Sequence, residues 1–200
     1  MLPGPVLPGL VNAHSHAFQR AFAGLAERRN TDADDFWSWR DRMYGVALRI
    51  TPAQLRAVAA QLYVELLQGG YTQVCEFHYL HHQPGGQPYA DEATMAWAVA
   101  DAAADTGLGL TVLPVLYERA GLAQAALRPD QRRFAGTPDF IARLQASVQA
   151  SGRPLVNAGV AIHSLRAAAS PSIDALLAQV GDAAMPVSYT HLTLPTSDLV

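Results

Sequence analysis

The chain has 200 residues, half of them apolar, with net charge −3 and one cysteine, Cys75; that suffices for one sizeable core and excludes an internal disulfide framework. Basic residues form no runs that would mark a nucleic-acid footprint, and no stretch approaches the ~20 apolar residues of a membrane span. MLPGPVLPGL lacks the basic flank and cleavage site of a signal peptide, so the expectation is a soluble cytoplasmic protein with no nucleic-acid or membrane partner.

VLPGLVNAH, residues 6–14, reads as a first strand that delivers His14, with His16 two positions further on. Side chains at i and i+2 of a strand share a face, so two imidazoles at a strand end can grip one metal ion. One packed and one exposed histidine is the alternative. FQRAFAGLAERRNTDADDFWSWRDRMYG, residues 18–45, reads as a long loop, and its Phe36, Trp37 and Trp39 argue for order. Loops of this length are usually functional or disordered. Arg40, flanked by aromatics, suits either a bidentate carboxylate grip or a cation–π or surface ion pair.

TPAQLRAVAAQLYVELLQGG reads as a helix, with Thr51 as N-cap, Pro52 at the first position and Gln54 completing a capping box. Leu55, Val58, Leu62 and Leu66 form its apolar stripe, and Gly69-Gly70 ends it. TQVCEFHYL is a second strand, with Cys75 as a small buried residue rather than a nucleophile. His78, His81 and His82 read as solvated or hydrogen-bonding rather than as a ligand cluster. Tyr79 either faces a pocket or sits on the rim.

ADEATMAWAVADAAADTG is a second helix, capped by Asp91 and stopped at Gly107. LGLTVLPVLY, apolar nearly throughout, is a strand buried on both faces. TPDFIARLQASVQASG is a third helix, PLVNAGVAIHSL a fourth strand, SPSIDALLAQVG a fourth helix, and MPV opens a fifth strand. Such alternation argues for a parallel α/β fold. Polar residues cluster at the carboxyl ends of successive strands, where a barrel builds its active site. His163 and Arg166 stand there as donors for an anionic substrate. The expected fold is therefore a partial (β/α)8 TIM-like barrel. It comprises the first four to five β/α units, since a complete barrel needs about 250 residues.

LPGLVNAHSHAFQRAFAGLAE, DDFWSWRDRMY, QLYVELLQGGYTQVCEFHYLHH, GLGLTVLPVLYERAG, QRRF and IHSLRA together resemble the amidohydrolase superfamily and, within it, the formimidoylglutamate deiminases. The resemblance runs from about Leu7 to Val187. It implies a metal-dependent hydrolase that converts N-formimidoyl-L-glutamate and water to N-formyl-L-glutamate and ammonia. His14 and His16 match the first two ligands of one divalent metal, normally zinc. Gln19, Arg40, Tyr79, His163 and Arg166 match residues that hold the glutamate part of the substrate. The implied partners are that small molecule and, for the parent enzyme, a second copy of itself.

The family carries a third metal histidine on the fifth strand with a glutamate after it, then a further histidine and a metal-binding aspartate. Here MPV is followed by SYTHLTLPTSDLV, which is foreign to that pattern. His191 and Asp198 are therefore assigned no role, and no catalytic acid–base residue is assigned. The expected organisation is residues 1–187 as barrel and 188–200 as an unrelated tail, and the 200-residue polypeptide by itself is expected to be inactive. Two rivals stand beside this reading. A guanine deaminase or chlorohydrolase-like relative would explain the histidine pair but not the arginines. A non-catalytic, metal-binding partial barrel is the other.

Overall fold

A computed structural model describes residues 6–25 and 36–181. The strand expected at MPV, the 188–200 tail, His191 and Asp198 lie outside the described residues. Among the described residues, five parallel strands form the sheet: β1 (Leu10–Ser15), β2 (Tyr71–His78), β3 (Gly109–Leu116), β4 (Val156–Ala158) and β5 (Ala161–Ile162). The order is β1-β2-β3-β4, with β5 pairing the end of β3.

β4 and β5 replace the single fourth strand expected over 154–165. The break falls at Gly159-Val160, and glycine gives a strand no side chain to pack. The segment stays docked on β3, because Gly159 N–H donates to Val112 O (3.0 Å) and His163 N–H to Leu116 O (3.2 Å). β3 meets its expectation: Leu110, Val112, Leu113, Val115 and Leu116 are all buried, as a central parallel strand covered on both faces requires.

The helices are α1 (Phe36–Ala47), α2 (Pro52–Gln68), α3 (Thr94–Thr106), α4 (Pro138–Ala150) and α5 (Ser170–Val180). α1 corrects the sequence reading, which took all of 18–45 as loop. Met43, Tyr44 and Ala47 recur at helical spacing and are buried, so a packed face decides for helix. A 3-10 turn, Ala17–Phe22, follows β1 directly.

α2 carries the expected capping box. Thr51 Oγ1 accepts from Gln54 N–H (3.2 Å) while Gln54 Oε1 accepts from Thr51 N–H (3.0 Å). Its most buried line is Leu55, Ala59 and Tyr63, and Leu62 and Leu66 pack only partly beside it. The apolar stripe was thus placed off centre, because alanine and tyrosine carry less hydrophobic signal than leucine.

Asp91 does not cap α3 in the expected way. The helix starts later, with Ala93 as its N-cap residue. Asp91 instead forms a preceding turn, its carboxylate accepting from Ala93 N–H (2.9 Å) and Trp97 Nε1–H (2.8 Å). Gly107 ends the helix at φ 77°, in the left-handed region where glycine carries no Cβ penalty. Among the described residues, no helix is long and apolar enough to cross a membrane.

Candidate active site

The histidine pair sits at a flaw in the β1–β2 ladder. Between Asn12↔Val74 and Ser15↔Glu76, β1 advances three residues while β2 advances two. Such irregularities re-aim side chains and recur beside active sites. His14 N–H, displaced from the regular ladder, donates to Asn12 Oδ1 (3.1 Å).

The two imidazoles converge, with His14 Nε2 and His16 Nε2 2.9 Å apart and the rings at 89°. His16 Nδ1 lies 3.1 Å from Phe77 O. A carbonyl only accepts, so Nδ1 carries the proton and the neutral ring leaves its Nε2 lone pair free toward His14. Burial, and secondarily the neighbouring His14, pushes His16 down to about 4, which keeps it neutral and able to ligate. Nitrogens bound 2.0–2.1 Å from a tetrahedral zinc stand about 3.4 Å apart, so the pair fits after opening by about half an ångström. Among the described residues, no group of three or more His, Cys, Asp or Glu gathers for a metal. The described residues thus contribute two donors.

Around the pair stands an aromatic wall. Phe77 lies 5.0 Å from the His14 ring and 5.3 Å from the His16 ring. Tyr79 is buried, and its ring makes edge contacts with His16 (5.2 Å), Phe18 (5.4 Å) and His163 (5.6 Å). Gln19 Nε2–H donates to Tyr79 Oη (3.2 Å). His163 packs on Tyr117 at 4.3 Å. Burial raises both phenols well above the usual tyrosine range, and the charge of Arg166 partly opposes this at Tyr117. Tyr79, Gln19 and His163 are therefore brought together beside the histidine pair, while Arg166 lies near Tyr117, on the far side of His163.

Arg40 joins through a relay. Its guanidinium lies 5.7 Å from the centre of the Tyr44 ring. Tyr44 Oη is reached by Gln131 Nε2–H (3.4 Å), which also donates to Tyr117 Oη (2.9 Å). Gln131 is buried, and its Oε1 accepts from Arg128 N–H (3.0 Å). Tyr44 and Gln131 were not singled out from sequence. The only signal was their place within the DDFWSWRDRMY and QRRF stretches.

Two further arginines, also missed, act through backbone. Arg119 donates to Arg166 O (2.9 Å), Leu165 O (2.7 Å) and Ala168 O (3.0 Å), pinning the turn that carries Arg166. Arg133 is fully buried and donates to Ala47 O, Ile50 O and His82 O. It ties the end of α1 to the segment after β2. A fork of five donors suits such a task, and no lysine supplies it.

The remaining histidines are hydrogen-bonded or buried rather than solvated. His81 reaches Val115 O (3.2 Å) and His82 reaches Ala135 O (2.8 Å). His78 and His81 are buried because they lie under α4 and its Phe140 rather than on an open loop. Glu76 is buried too. Its Oε1 accepts from Ala17 N–H (2.6 Å), and burial raises its carboxyl to about 7. Cavities of about 310 Å³ beside Glu118 and Leu122 and of about 420 Å³ beside Asp91 and Arg143 lie away from the histidine pair. Position and chemistry mark the site, not cavity volume.

Comparison with known proteins gives the family and the fold. The sequence profile of the Amidohydrolase family matches residues 6–194. A formimidoylglutamate deiminase from Pseudomonas aeruginosa is 45% identical over 195 residues, covering 96% of this chain and 42% of that protein. An amidohydrolase from Brucella melitensis superposes with a TM-score of 0.85 at 48% identity, covering 90% of this chain and 40% of that one. An atrazine chlorohydrolase from Arthrobacter aurescens, crystallised with zinc, superposes with a TM-score of 0.71 at 20% identity, covering 90% of this chain and 40% of that one. That last likeness shows the fold alone. The chain thus spans about two-fifths of the length of these relatives.

Proposed function

The chain belongs to the amidohydrolase family, and from that premise we propose that the full-length protein carrying these residues hydrolyses N-formimidoyl-L-glutamate to N-formyl-L-glutamate and ammonia. The observation that carries the reading is the convergence of His14 and His16 beside a wall bearing Tyr79 and His163. A cation site next to phenol and imidazole donors, with guanidinium groups beyond them, suits a substrate with a hydrolysable C=N group on a dicarboxylate. The 45% identity to a formimidoylglutamate deiminase supports the same choice.

In this reading His14 and His16 hold one divalent ion, zinc, which when bound lowers the pKa of water to near neutrality. Arg40 and Arg166 neutralise the substrate carboxylates and fix the pose, since guanidinium forks match carboxylate geometry, and His163 holds the same part of the substrate. Gln19 and Tyr79 line the approach, with the Tyr79 hydroxyl held as a neutral donor. Orientation of this kind contributes through proximity. The balance is one water consumed, the formimidoyl C=N replaced by C=O, and its nitrogen released as ammonia.

The test measures ammonia release by the full-length protein with zinc, offering formimidoylglutamate and guanine separately, alongside the His14→Ala variant. Zinc-dependent release from formimidoylglutamate, absent in H14A and absent with guanine, is the expected outcome. Turnover of guanine without formimidoylglutamate overturns the substrate assignment. Full activity in H14A overturns the site.

A further inference from the structure

Glu76 takes no part in the chemistry above, yet burying a carboxyl is among the most costly things a fold can do. It is 2% exposed, and among the described residues no cation pairs with it. It sits on the face of β2 turned toward Tyr63 of α2, away from the side where Phe77 meets the histidines.

We infer that Glu76 is a positioning residue for the metal-binding pair, holding the chain on both sides of His16: Ser15 through the ladder and Ala17 through its carboxyl. The inference rests on the reading of His14 and His16 as ligands. Glu76 Oε1 accepts from Ala17 N–H at 2.6 Å, and Glu76 is the ladder partner of Ser15. The next residue, Phe77, accepts from His16 Nδ1–H through its carbonyl (3.1 Å). Two consecutive residues of β2 thus grip three consecutive residues at the end of β1.

The grip is needed where it occurs. Ser15↔Glu76 is the last paired position, immediately after the ladder has slipped by one residue. Beyond it the chain turns into a 3-10 turn with His16 at its start. Regular backbone pairing therefore cannot fix the His16 backbone, and a side chain reaching from β2 replaces it. The bond to Ala17 also satisfies one of the orphan N–H groups at the opening of that turn. Partners that orient metal ligands typically change metal affinity by roughly 10–100-fold when removed. The role asks for an acceptor, not for a charge, so glutamine should serve and alanine should not.

Zinc affinity, read by competition with a chromophoric chelator, tests this without reference to turnover. The full-length protein is compared with Glu76→Ala, Glu76→Gln, Ser15→Ala and His14→Ala, with thermal unfolding followed in parallel. E76A should bind zinc roughly 10–100-fold more weakly, while E76Q, whose amide oxygen still accepts from Ala17 N–H, stays close to the parent. S15A, which keeps both the Ala17 bond and the ladder pairing, should also stay close to the parent. Zinc affinity in E76A equal to the parent's overturns the inference, whatever happens to its melting temperature. So does equal weakening in E76Q and E76A, since charge would then be the operative property. Where E76A does not fold, Glu76→Met, which fills the same space without an acceptor, takes its place, and an E76M affinity equal to the parent's overturns the clamp. A parent whose zinc binding is indifferent to His14→Ala overturns the metal reading itself, and the inference with it. Binding that depends on His14 but not on Glu76 overturns the clamp alone.

Discussion

Acidification should destabilise this fold, with His78 as one identifiable cause. The imidazole ends β2, is buried, packs beside His81 at 5.5 Å, and has no hydrogen-bond partner for Nε2 among the described residues. Burial alone pushes it from 6.5 down to about 4. The native ring therefore stays neutral to about pH 4, whereas the unfolded chain takes up a proton near pH 6.5. A depressed native value means the stability is full above 6.5 and is lost as pH falls toward 4. A shift of that size corresponds to about 3 kcal/mol in full, of which about 2 kcal/mol is lost by pH 5. Urea unfolding at pH 7.5 and pH 5 measures it, with His78→Gln as the comparison, since glutamine does not titrate. The parent should lose about 2 kcal/mol more than H78Q between the two pH values. Equal losses in both proteins, or a His78 ring that titrates above pH 6 by NMR, would refute the reasoning.

Gly107→Ala should cost about 1–2 kcal/mol in chemical unfolding, because φ is 77° while nothing lies within 4 Å of the added methyl, so the penalty is purely conformational; an unchanged midpoint would contradict it. Gln131→Met removes the buried donor to Tyr117 and the acceptor for Arg128 N–H. It should lower stability by about 1–3 kcal/mol and raise KM for formimidoylglutamate with a smaller change in kcat, as steady-state kinetics on the full-length protein would read out.

Much of the architecture was legible because local chemistry and global pattern agree. Thr51-Pro52 with Gln54, Thr137-Pro138 and Gly107 are punctuation whose physics is complete within a few residues, and α2, α4 and the end of α3 follow it. β3 declares itself by continuous apolarity. The boundaries that failed are those where a distant partner decides. α1 was hidden in an aromatic, charged stretch whose helical face shows only when Tyr44 meets Phe134 and Gln131. Asp91 carries cap chemistry but spends it on Trp97 Nε1–H and a turn. The fourth strand breaks at a glycine that the sequence pattern could not distinguish from an ordinary strand interior.

For the candidate site, the residue types and the i, i+2 spacing of His14 and His16 are properties of the chain itself, since alternation along a strand requires no partner. Their approach to 2.9 Å, the His16 tautomer and the gathering of Tyr79 and His163 depend on contacts distant in sequence, such as His16 to Phe77 at a separation of 61. Arg119, Arg133 and Glu76 do their work through backbone groups that carry no sequence signature. A carbonyl or amide is the same atom in every residue, and only folding decides which one a side chain finds.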